Sequence, residues 1–73
     1  MAIIEIKAEI TGNVWTIQVR PGDQIDEDTP ILILESMKME IPIVATDGGK
    51  VVDILVSEGD TVQEGATIAR LEV

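Results

Sequence analysis

Lys38 stands between two methionines, in Glu35-Ser36-Met37-Lys38-Met39-Glu40. Met1 is the only other methionine of the chain. A lysine amine becomes a nucleophile once it loses its proton, and an exposed one can be acylated. Methionine is flexible and polarizable, which suits a surface that another protein must recognise. The pattern reads as a chemical handle marked on both sides. It also fits an ordinary turn lysine whose two methionines cover part of a core. The composition offers few competitors. There is no cysteine and no histidine, which removes disulfides, thiolate nucleophiles, imidazole bases and thiolate or imidazole metal sites. No serine or threonine has an evident activating partner. Asp26-Glu27-Asp28 could serve as acid and base or hold Ca²⁺. It lacks the regular D-x-D-x-D-G spacing and reads better as a solvated loop. Gly48-Gly49-Lys50 lacks the phosphate-loop pattern and leads into a strand, so it reads as a hairpin connection. Lys7 and Lys50 sit in or beside strand patterns with no distinctive setting.

The handle needs a scaffold, and size and charge limit what that can be. With 73 residues the chain is expected to form one domain, 1–73, with a thin core. Fourteen acidic residues against five basic ones leave a net charge of −9. That argues against nucleic acid and against an anionic membrane, both of which attract basic patches. No apolar run approaches the ~20 residues of a membrane helix. The N-terminal residues, Met1 to Lys7, lack the basic and apolar regions of a signal peptide, and a cytoplasmic location is the expectation.

Sliding the sequence over itself by 37 positions aligns two halves, about 6–36 and 43–73, with 12 identities in 31 pairs. Gly12 meets Gly49, Val14 meets Val51, Gly22-Asp23 meets Gly59-Asp60, and Leu34-Glu35 meets Leu71-Glu72. Such self-similarity marks a duplicated supersecondary unit. Each half reads as strands separated by Gly-Asp turns, with no helix of useful length. Alternation predicts strands over 15–19 and 52–56, and a second pair over 31–35 and 68–72. With Arg70 in solvent, Ala69, Leu71, Leu32 and Leu34 face inward, which sends Ile31 and Ile33 outward. Residues 31–36 and 39–45 should form an antiparallel hairpin with Met37-Lys38 at its tip. The repeat counterpart of that tip is the junction of the two termini, so the tip and the termini are expected at opposite ends.

Beyond these residue-level readings, the Glu35–Glu40 segment with Ile41-Pro42-Ile43-Val44-Ala45 resembles the attachment motif of biotinyl domains. Val56-x-x-Gly59-Asp60-x-Val62-x-x-Gly65-x-x-Ile68 is similar to the second half of biotinyl and lipoyl domains. The resemblance covers nearly the whole chain and is closest to free-standing biotin/lipoyl attachment proteins. It implies an all-β fold, a flattened barrel-sandwich hybrid of two four-stranded antiparallel sheets with quasi-twofold symmetry. It implies a cofactor carrier with no catalytic groups of its own. Lys38 would be joined covalently to biotin by a biotin protein ligase, with Met37 and Met39 as flanking recognition residues and Glu35 and Ser36 as further ligase contacts. The partners implied are the biotin carboxylase and carboxyltransferase components of a biotin-dependent carboxylase. Glu35-Ser36 also resembles lipoyl domains, which continue Asp-Lys-Ala, so lipoate and a lipoyl-attaching enzyme form the alternative. An unmodified barrel-sandwich interaction module is a more remote one. The link from Gly12 to Gly22 is too short for the protruding thumb of some acetyl-CoA carboxylase biotinyl domains.

Overall fold

Short alternating runs of β-branched residues, interrupted by Gly, Pro and Asp, favour strands over helices. In the computed structural model, which describes residues 2–73, the chain forms β1 (Ile3–Lys7), β2 (Gly12–Ile17), β3 (Gln24–Ile25), β4 (Pro30–Ser36), β5 (Met39–Val44), β6 (Gly49–Ile54), β7 (Thr61–Val62) and β8 (Thr67–Glu72). The described residues contain no helix. Every strand pairing is antiparallel. Sheet I has the order β1-β8-β6-β3 and sheet II the order β5-β4-β2-β7. The all-β class and the two four-stranded sheets are those expected.

A 37-residue shift turns one sheet into the other, and the hydrogen bonds follow. Gly22 N–H donates to Val51 O at 2.8 Å, and Gly59 N–H donates to Val14 O at 2.8 Å. The Asp23 and Asp60 carboxylates accept the N–H groups of Arg20 and Ser57, each at 2.9 Å. The turn glycines have φ of 96° and 94°, a region glycine enters without steric cost. Each turn bonds a strand of the other half, and β2 pairs with β7 while β3 pairs with β6. The halves are therefore interlocked rather than stacked.

The core lies between the sheets. Val14, Leu32, Leu34, Val51, Ala69 and Leu71 are all buried in it, and among the described residues no polar side chain is. Leu32 and Leu34 face inward as expected, and Ile33 between them points away and is half-buried. The expectation for Ile31 is corrected: Ile31 is fully buried, and so is its counterpart Ile68. The cause is a register shift between Pro30 and Leu32 against β5, matched by one between Ile6 and Lys7 where β1 meets β8. A bulge puts one extra residue on a strand and breaks strict alternation. The expected strands 15–19 and 52–56 are also displaced, to 12–17 and 49–54. Bulges at Trp15 and Val52 leave Trp15 53% exposed.

Candidate functional site

The ladder between β4 and β5 runs from Pro30–Val44 to Ser36–Met39. Met37 and Lys38 are left as a two-residue loop. Such a loop matches the strand twist when both central residues have positive φ, the type I′ pattern that usually selects Asn-Gly. Met37 and Lys38 take φ of 52° and 64°. An L-residue with a long side chain in this region costs roughly 1–2 kcal/mol. Asp28, at φ 69°, has a short polar side chain that tolerates it. Met37 and Lys38 have none, so the tip holds its residues against local preference.

Met37 is 92% exposed and Met39 62% exposed. They do not cover the core, which removes the packing role that an ordinary turn would give them. Lys38 is exposed, and among the described residues it has no ion-pair partner. An amine at the end of a rigid hairpin, with open approach, fits covalent attachment of a carboxylate-bearing cofactor. Its two neighbours are apolar and exposed, which suits a partner with a hydrophobic slot.

The base of the tip is braced from β2 and β7. Glu35 is exposed and lies opposite Glu40 on one side and Asn13 on the other. Ser36 is half-buried at the last rung, opposite Met39. A Cβ on Gly12 would meet the Glu35 carbonyl oxygen at 2.8 Å, so only glycine lets β2 pass this close. Thr61 Oγ1 donates to Asn13 Oδ1 at 2.8 Å, tying β7 to the same base. Gly12 and Asn13 lie at the base of the tip, where sequence reasoning had not put them. The repeat aligns Gly12 with Gly49, but only the register puts it against Glu35.

The termini close the other end. Ala2 and Val73 exchange backbone hydrogen bonds of 3.0 and 2.8 Å, the counterpart of the Ser36–Met39 rung. From there β1 runs to Lys7, and the chain enters β2 at Gly12, beside the base of the tip. Lys7 and Lys50 both lie on sheet I. Asp26 to Asp28 form a structural turn: Asp28 N–H donates to Ala45 O at 2.9 Å and Asp26 N–H to Thr29 Oγ1 at 3.2 Å. Among the described residues no three acidic groups converge as metal ligands.

The biotin/lipoyl family model, described as "Biotin-requiring enzyme", matches residues 3–71. The chain belongs to the biotin/lipoyl attachment family. It is 46% identical over 66 residues to the biotin/lipoyl attachment protein of Bacillus subtilis, covering 90% of each chain. Its structure is similar to part of the urea carboxylase of Kluyveromyces lactis, with TM-score 0.93 and 32% identity, over 99% of this chain and 6% of that one. It is also similar to the lipoyl domain of the 2-oxoglutarate dehydrogenase complex from Azotobacter vinelandii, with TM-score 0.79 and 30% identity, over 96% of both chains. As a biotin/lipoyl domain it is a carrier, not a catalyst, in keeping with the lack of any acid–base or nucleophilic constellation in its composition.

Proposed function

We propose that this protein is a biotin carboxyl carrier, with biotin joined by an amide to Lys38 Nζ. The observation that carries this is the Met37-Lys38-Met39 tip, exposed and strained, on a member of the biotin/lipoyl family. A biotin protein ligase forms the bond. Lysine amines are protonated at neutral pH, so the ligase must take a proton from Nζ before the amine attacks the activated biotin carboxyl and displaces its leaving group. Met37 and Met39 present apolar contacts to the ligase, and Glu35 and Ser36 supply polar ones. The bound biotin supplies a ureido nitrogen that accepts and releases carboxylate. The hairpin holds that arm away from the body of the domain, so that it reaches biotin carboxylase and carboxyltransferase sites in turn. Tethering raises its effective concentration at each. Similarity to carboxylases, urea carboxylase among them, supports these partners.

Intact mass spectrometry after co-expression with a biotin protein ligase tests this. One biotin increment is expected on the wild type and none on Lys38→Ala; an unmodified wild type would overturn the reading. A second reading, lipoylation of the same lysine, draws on Glu35-Ser36 and on the similarity to a lipoyl domain. Co-expression with a lipoyl-attaching enzyme separates the two, and Met37→Asp is expected to favour lipoate.

A further inference from the structure

The internal repeat supplies its own control, because every position on the outer face of sheet II has a counterpart on sheet I. On sheet I the middle row is Glu5, Arg70 and Asp53, side by side on β1, β8 and β6. Arg70 makes a two-pronged ion pair with Asp53, with Nε donating to Oδ1 at 2.9 Å and Nη2 to Oδ2. The next row pairs Glu72 with Lys50. The counterparts on sheet II are Pro42, Ile33 and Thr16, side by side on β5, β4 and β2. Trp15 stands beside them at the bulge, 53% exposed, where sheet I has the smaller Val52, 39% exposed. Toward the tip, the next row sets Glu40 directly against Glu35. No lysine or arginine occurs in any strand of sheet II, whereas Lys7, Lys50 and Arg70 all lie in strands of sheet I.

One sheet thus balances its own charges, and the other leaves an uncharged row and an unbalanced acidic pair on its outer face. Like charges directly opposite on a sheet are destabilising. Exposed apolar area with a polar border is the anatomy of a protein interface. A second copy would press one acid-bordered face on another, in a chain of charge −9. The fitting occupant has an apolar patch bordered by lysine or arginine.

We propose that the outer face of sheet II, through Trp15, Ile33 and Pro42 and the Glu35–Glu40 pair, is the surface on which the biotin protein ligase docks. This rests on reading Lys38 as the ligase's substrate. Geometry selects the ligase over the carboxylase components. An unmodified lysine carries its amine only one four-carbon stem from the backbone. The enzyme that acylates it must come close to the hairpin and must therefore meet the sheet that continues it. A biotinylated lysine extends much further, and later partners can engage it at a distance.

The test follows biotinylation by a purified biotin protein ligase with biotin and ATP, read as intact mass against time. Thr16→Asp, Ile33→Arg and Pro42→Glu together transplant the sheet I row onto sheet II. This triple variant is expected to lose tenfold or more in kcat/KM, mostly through KM. Asp53→Thr with Arg70→Ile, the reverse exchange on sheet I, is expected to match the wild type. Added salt is expected to raise KM for the wild type and to do so less for Glu35→Gln/Glu40→Gln. Pro42→Glu alone, at an exposed edge position, keeps the test open if the triple variant fails to fold by circular dichroism. Equal kcat/KM for the wild type and the folded sheet II variants overturns this proposal alone. A wild type that takes up no biotin overturns the carrier reading instead.

Discussion

At the residue scale, the proposed attachment role and local stability pull in opposite directions at the tip. A type I′ loop favours Asn at its first central position, and this chain has Met37 there at φ 52°. Met37→Asn is expected to raise stability by about 0.5–1 kcal/mol in urea unfolding, while biotinylation slows. A fall in stability would show that the positive φ costs Met37 nothing. Lys38 was legible from the chain because its neighbours are unusual and its rivals are absent. The strain on it was not, because nothing in Ser-Met-Lys-Met announces positive φ; the ladder on either side imposes it. The exposure of Trp15 was hidden for a related reason: a bulge, which depends on the partner strand, turns it out.

At the element scale, the two sheets share a backbone plan and differ in how their outer faces handle charge. On sheet I, Asp53 of β6 and Arg70 of β8 face each other across the ladder. The hydrogen bond from Arg70, helped by its charge and opposed by desolvation, holds the Asp53 carboxyl below its ordinary range. Arg70 is correspondingly raised by the hydrogen bond to Asp53 and by the charge beside it. A depressed carboxyl contributes stability above its unfolded-state pKa, and that contribution is lost as pH falls through the folded value. Asp53→Asn is therefore expected to be less stable than the wild type at neutral pH. The difference should close as pH is lowered through and below the carboxylate range, read as urea midpoints across a pH series. A difference that persisted in acid would mean that Asp53 acts through packing. The outward position of Arg70 could be read from its place between Ala69 and Leu71. Its partner could not, since Asp53 lies 17 residues away and only strand register joins them.

At the scale of the whole molecule, the quasi-twofold repeat makes the halves mutually dependent. Residues 1–37 and 38–73 as separate peptides are expected to give disordered circular dichroism spectra. Each would lack the strands that its turns bond, as Gly22 bonds Val51 and Gly59 bonds Val14. A half that folded alone would refute the interlocked description. By itself the sequence determined the duplication, the all-β class, the hairpin under Lys38 and the absence of cysteine and histidine. All of these follow from residue type and from spacing along the chain, which are local quantities. Only the tertiary structure decided that Ile31 is buried, that Gly12 must be bare beneath Glu35, and that one sheet balances its charges while the sheet bearing Lys38 does not. Those outcomes depend on which residues of distant strands come to lie opposite one another. Bulges and register set that pairing, and a single-residue slip moves a side chain from the core to solvent.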